Sequence, residues 1–239
     1  MEQTDIQIQT CNEMAVHISL GQTISPHIQR QVRAVGAYIE SHPFAGYKEC
    51  VVSYTAVTIV YDPFIVRTQE KTDNAQQFVK SYAQQAVQHA DMDSLPQARD
   101  IVIPVCYGGA YGPDLEEVAQ TLDMTPEEVV RIHTSGTYLV YMIGFCPGYP
   151  YMGGLDKQLW IPRRQTPRLA IPARSVAIAG QQAGIYPMET PGGWHLLGRT
   201  AVDLFTPDAD TPSLLQAGDV VHFKAITEEE YKQIRGDRP

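Results

Sequence analysis

The side chains with the chemistry to act on a small molecule lie in the second half of this 239-residue chain. Cys146, in Gly144-Phe145-Cys146-Pro147-Gly148-Tyr149-Pro150-Tyr151, has the setting of a nucleophile on a tight loop. A thiol attacks as its thiolate, so that role requires a base or another neighbour that lowers its pKa. The plainer reading is a proline and glycine turn that displays aromatic side chains. His195 follows Gly192-Gly193-Trp194, where glycines allow the backbone to approach a ligand or a second strand closely. It is a candidate pocket residue, set against an ordinary strand residue beside a glycine bend. None of the seven histidines stands in a His-x-x-x-His or Glu-flanked pair, so no metal is expected, and His17 reads as a solvated or satisfied face residue. There is no Gly-x-x-x-x-Gly-Lys-Ser/Thr loop, and Gly180-Gln181-Gln182-Ala183-Gly184 precedes a strand-like run rather than a helix. A nucleotide, if one is used, is expected to sit on another chain.

Composition narrows the classes. Hydrophobic residues make up 44% and charged residues 19%, as in an ordinary globular protein. The net charge of −9 repels phosphate backbones and anionic lipid, so neither nucleic acid nor a membrane surface is an expected partner. Cys11, Cys50, Cys106 and Cys146 form no Cys-x-x-Cys pair, and a chain of this size does not need disulfides. The start, Met1-Glu2-Gln3-Thr4-Asp5, lacks the basic and apolar regions of a secretion signal, and no apolar run has the length of a membrane span. A cytoplasmic protein is expected.

Periodicity supplies the elements that would position these groups. Residues 1–90 read as an α+β N-terminal domain. Ile6 and Ile8 alternate with polar residues, as do Val16, Ile18 and Leu20, giving two strands. Ser25-Pro26 is a helix start; Ile28, Val32, Val35 and Ile39 follow at helical spacing until His42-Pro43. Two adjacent strands are expected around Cys50 to Tyr54 and Val57 to Tyr61, then a helix from Thr72 to His89. Residues 91–98 lose periodicity and form the expected linker to a second domain, 99–239. This begins with a strand, Ile101 to Val105, and two short helices for which Asp114 with Glu117 and Thr125 with Glu128 resemble capping boxes. From Tyr138 onward, short apolar stretches (Tyr138 to Ile143, Ser175 to Ala179, Trp194 to Leu197, Val220 to Phe223) alternate with Gly and Pro, the texture of a barrel or sandwich. Its concave face is expected to receive a small ring or a partner's surface. Glu228 to Ile234 reads as a terminal helix.

The helical pair from Leu115 to Ile132 has the rhythm of a helix-turn-helix. Its second helix, however, opens with Glu127 and Glu128, where contacts to bases and phosphates would have to be made. Two carboxylates there oppose binding, so the pair reads as cover for the barrel.

A resemblance spans nearly the whole chain. It rests on His42-Pro43-Phe44 with Gly46, Tyr61-Asp62-Pro63, the Gly144 to Tyr151 stretch and Pro162-Arg163-Arg164-Gln165-Thr166-Pro167-Arg168. Further along it rests on Ile171-Pro172-Ala173, the run from Ser175 to Pro187, Pro191-Gly192-Gly193-Trp194 and Gly198-Arg199-Thr200. Together these resemble the family of 5-oxoprolinase B subunits, also called the KipI or allophanate hydrolase subunit 1 family. The resemblance implies an α+β fold, with a small α/β N-terminal domain followed by a cyclophilin-like β-barrel C-terminal domain. It also implies a protein that works with A and C subunits to convert 5-oxoproline to glutamate with hydrolysis of ATP. The nucleotide would be bound mainly by another subunit, and this chain would be inactive alone. One alternative within the same family is an inhibitor of a sporulation-type histidine kinase; another is a component of a urea carboxylase or allophanate hydrolase system.

By motif position the resemblance marks Phe145, Pro147, Tyr149, Arg168, Gln182, Tyr186, Trp194 and His195 as substrate-binding candidates. The aromatic rings would form apolar walls, and Arg168, Gln182 and His195 would meet a carboxylate or lactam edge. The competing reading has Gly and Pro holding barrel turns, with Trp194 in a core. The catalytic residues are not identified. Arg174 departs from the family pattern, standing where relatives carry glycine; its side chain is expected to point to solvent or to alter the mouth of the pocket.

Overall fold

The structure, a computed structural model, describes residues 6–236. Met1 to Asp5, where a secretion signal would begin, lie outside the described residues. The chain divides into two compact units between Gln97 and Ala98, and Asp91 to Arg99 carries no regular element.

In the first unit, β1 (Gln7–Asn12), β2 (Ala15–Ser19), β4 (Ala56–Tyr61) and β3 (Tyr47–Val52) form an antiparallel sheet in the order β1-β2-β4-β3. The inward positions of β2 and β4 (Val16, Ile18, Val57, Ile59 and Tyr61) share one core with Val32, Val35 and Ile39 of α1 (Pro26–Ser41) and Val79 and Ala83 of α3 (Ala75–His89). α1 starts where the cap predicts: Ser25 Oγ accepts from the Ile28 N–H, and Pro26 occupies the first turn. α3 begins later than the expected Thr72, because Asn74 caps it by accepting from the Gln77 N–H. A short helix, α2 (Pro63–Gln69), adds to the expected elements; Asp62-Pro63 is the same cap-and-proline start, with Asp62 accepting from Phe64 and Ile65. His17 is half-buried on its strand and bonds Thr58 Oγ1 at 3.0 Å.

The second unit is a closed barrel. Its strands run in the order β10 (Gln182–Ile185), β7 (Pro150–Gly153), β6 (Tyr138–Ile143), β13 (Val220–Ala225), β5 (Asp100–Tyr107), β12 (His195–Thr200) and β9 (Ser175–Ala179). β5 and β13 are parallel, and the other neighbours are antiparallel. A ribbon of β8 (Arg168–Ile171) and β11 (Thr190–Gly192) lies apart from the barrel strands. Ile103, Val105, Val140, Met152, Val176, Ile178, Ala183, Ile185 and Phe223 fill the interior. A barrel of this size has room for side chains and little else. The concave side is therefore occupied by the protein's own core, and a ligand has to be sought elsewhere.

The two helices α4 (Leu115–Thr121) and α5 (Pro126–Ser135) bury Leu115, Val118, Val129 and Ile132 in that same core and so cover the barrel. Thr125 and Glu128 complete a reciprocal capping box at α5. Asp114 does not cap α4 with its side chain. The terminal helix α6 (Glu228–Arg235) carries its own capping box from Thr227 and Glu230. All four cysteines are free thiols. Among the described residues no helix is long and apolar enough to cross a membrane, and no cluster of His, Cys, Asp or Glu is grouped to hold a metal ion.

His133 on α5 is fully buried. Its ring stacks on Phe223, with centroids 4.5 Å apart. Its Nδ1 lies 2.7 Å from the Tyr107 hydroxyl, and its carbonyl accepts from Tyr138 at 2.8 Å. Burial keeps the Tyr107 phenol protonated, and the His133 Nε2 is buried with no hydrogen-bond partner among the described residues. Loss of water pushes the His133 pKa down from 6.5 to about 3. Between these values the unfolded chain binds the proton and the folded chain does not, so stability is lost as pH falls from 6.5 towards 3. Urea unfolding should show the wild-type barrel losing about 2 kcal/mol more than His133→Gln between pH 7 and pH 5. Parallel pH profiles would refute a neutral buried imidazole.

Candidate functional site

Side chains alternate between the two faces of a barrel wall. Across β7, β10, β9 and β12 the register aligns Tyr151, Gly184, Ala177 and Leu196 in one row. Their neighbours Met152, Ala183 and Ile178 belong to the interior, so this row faces outward. Small residues in it make room for a second, outer cluster of Tyr149, Ile171, Ala177, Ala179, Tyr186, Trp194 and Leu196, with Cys146 and Tyr151 at its margin. A Cβ at Gly184 would stand 2.4 Å from Tyr149 Oη and 3.0 Å from Trp194 Cζ3, which explains a glycine in mid-strand. At Gly192 a Cβ would meet Tyr186 Oη at 2.5 Å.

The rings meet edge to face, except Tyr149 and Tyr151, which are tilted at 59°. Tyr149 lies 5.1 Å from Tyr186 at 76° and 6.0 Å from Trp194 at 85°; Tyr151 lies 4.9 Å from Tyr149 and 6.2 Å from Trp194. Burial pushes the Tyr186 phenol up to about 12, partly offset by hydrogen bonds with Tyr149 and the Trp194 backbone and by the charge of Arg163. Tyr149, Tyr186 and Trp194 are almost wholly buried, whereas Phe145 is 61% exposed. Phe145 sits at the tip of the β6–β7 turn in the left-handed region (φ 68°), its ring 5.5 Å from Tyr149. The buried rings form a floor, and the accessible surface above it belongs to Phe145, Tyr151 and Arg163. Arg163 lies over the Trp194 ring, 5.9 Å from its centroid.

The remaining candidates take other positions. Gln182 is half-buried opposite Ala179, on the same outer face. Pro147 is exposed in the turn beside Phe145. His195 pairs with Ile178 and so faces the interior side. Its Nε2 donates to the Pro162 carbonyl at 2.9 Å, and its Nδ1 is buried with no partner among the described residues. Burial raises the Cys146 pKa, the opposite of what a nucleophile needs. Arg174 has a φ of 69°, the conformation that favours glycine, and its side chain turns to Asp203 at 3.2 Å rather than to solvent. Asp203 also receives Arg235 at 2.8 Å.

Arg168 does not face the aromatic floor with a free guanidinium. It forms two parallel bonds, 2.8 and 2.5 Å long, to Asp114. The Asp114 carboxylate, 2% exposed, also accepts from Arg164 at 3.2 Å and from the Leu196 N–H at 2.7 Å. Arg164 in turn reaches Glu117 at 2.8 Å. Sequence reasoning missed this centre because Asp114 resembles a helix cap. It also passed over Arg163 and Tyr151, although both stand inside the quoted motifs. Removing the buried charge leaves two guanidinium groups facing each other, so Asp114→Asn should destabilise the barrel by about 3 kcal/mol, read as a lower urea midpoint. An unchanged midpoint would show that the cluster contributes no stability.

Comparison with known proteins agrees with this architecture. Residues 6–215 match the family described as carboxyltransferase domain, subdomain C and D. The chain is 44% identical over 227 residues to the 5-oxoprolinase B subunit of Bacillus subtilis (strain 168), covering 94% of this chain and 95% of that protein. It is 41% identical over 212 residues to the 5-oxoprolinase B subunit of Haemophilus influenzae, covering 89% and 94%. The crystal structure of TTHA0988 superposes with a TM-score of 0.77 at 30% identity, over 92% of this chain and 41% of that one. With its barrel, outer aromatic floor and near full-length kinship, the chain belongs to the family of 5-oxoprolinase B subunits.

Proposed function

We propose that this chain is the B-type component of an ATP-dependent 5-oxoprolinase, acting with A-type and C-type subunits to open the ring of 5-oxoproline to glutamate. The observation that carries the reading is the 44% identity to a 5-oxoprolinase B subunit over 94% of the chain. The outer face of the barrel supports it: a small planar ring would lie on the surface of Phe145 and Tyr151 above the buried Tyr149, Tyr186 and Trp194. Gln182, on the same face, would meet the lactam edge.

A five-membered lactam is a poor electrophile because its nitrogen lone pair is delocalised into the carbonyl. Phosphorylation of the carbonyl oxygen would remove that stabilisation, and hydrolysis of the ring amide together with one phosphoanhydride consumes two waters. In this reading the nucleotide is held mainly by a partner subunit. The aromatic floor then contributes a dry, oriented platform, on which the ring amide exchanges less with bulk water.

Mixing the full chain with purified A-type and C-type subunits should give ADP formation that depends on 5-oxoproline, with background turnover from this chain alone. Equal turnover when the chain is left out would exclude a required role for it.

A further inference from the structure

Three arginines lie within six residues, and the structure commits two of them. Arg168 is bound through two parallel bonds to Asp114, and Arg164 is shared between Asp114 and Glu117. Arg163 makes no ion pair among the described residues. It is exposed, and its guanidinium lies 5.9 Å from the centroid of Trp194. We infer that Arg163 is the carboxylate receptor of the outer aromatic face, selecting a cyclic amide that carries an acid over one that does not. The inference rests on the proposed function for the identity of the acid, 5-oxoproline, and on the geometry for the receptor.

The physical case has three parts. An aromatic face beneath a guanidinium holds its plane while leaving the N–H fork free at the edges, so an approaching carboxylate meets donors already oriented. Arg163 lies close enough to Tyr151 and Tyr186 for its charge to favour their ionised forms, which puts a positive potential at this face. The chain as a whole carries a net charge of −9, which repels an acid everywhere except where a cation is left uncompensated. Asp114 and Glu117 supply the selectivity among the arginines: by neutralising Arg168 and Arg164 between them they leave Arg163 as the cation beside the rings.

The test compares 5-oxo-L-proline with 2-pyrrolidinone, the same lactam without its carboxylate, in the complex assembled from full-length subunits. Arg163→Gln should raise KM for 5-oxo-L-proline about 10- to 100-fold, the effect of losing a hydrogen bond between charged groups. It should leave kcat within about threefold and should not alter the weak handling of 2-pyrrolidinone. Arg163→Lys should recover part of the loss, and thermal unfolding of Arg163→Gln should stay close to the wild type, since no ion pair is removed and only the exposed contact with Trp194 is lost. An unchanged KM in Arg163→Gln, or an equal loss for both lactams, overturns the inference. If the assembled mixture does not turn over 5-oxoproline at all, equilibrium dialysis with radiolabelled 5-oxo-L-proline decides. Binding that Arg163→Gln abolishes sustains the receptor while removing the proposed function, and binding that Arg163→Gln leaves intact removes the receptor.

Discussion

Burying a carboxylate costs several kcal/mol unless its oxygens are fully hydrogen-bonded, and Asp114 meets that condition from three directions. Arg168 comes from the first residue of the β8 ribbon, Arg164 from the segment before it, and the Leu196 N–H from a barrel strand. A helix start, an arginine-rich loop and a strand of the barrel wall are thus tied at one point. The ribbon so anchored contributes Ile171 to the outer aromatic cluster. The geometry of that cluster therefore depends on a charge that meets it only at the Leu196 backbone N–H.

The barrel wall has two cores because its strands carry two sets of residues. Aliphatic side chains fill the interior, and the outward positions of β7, β10, β9 and β12 are Tyr, Gly, Ala and Leu. Glycine and alanine there are a packing requirement, since the rings of Tyr149 and Trp194 occupy the volume a larger residue would need. The same crowding orients the rings edge to face and removes water from the Tyr186 phenol.

Arg174 shows how the chain holds a side chain where the backbone favours glycine. A left-handed backbone suits glycine, yet the Arg174 N–H donates to the Tyr186 carbonyl, its own carbonyl accepts from Thr200, and its side chain reaches Asp203. These bonds offset backbone strain that a free arginine would not tolerate. The turn that leads into β9 is held in place by them, at the edge of the aromatic floor.

Much of the fold was legible in the residues themselves. Ser25-Pro26, Thr125-Pro126 with Glu128, the alternation in β2 and β4, and the short apolar runs of β6 and β9 between Gly and Pro carry local signals, each a matter of a few adjacent positions, and the elements start and stop close to where those signals lie. Asp62-Pro63 carried the same signal for α2 and was read only as part of a motif. The aromatic candidates Phe145, Tyr149, Tyr186 and Trp194 were legible as a set, and they do converge. What the sequence could not decide was which face of the wall they share and which arginine remains uncommitted. Those outcomes depend on Asp114 meeting residues 50, 54 and 82 positions away. No local pattern encodes such a meeting, because it is set by how the barrel closes and by the requirement that a buried charge find its partners.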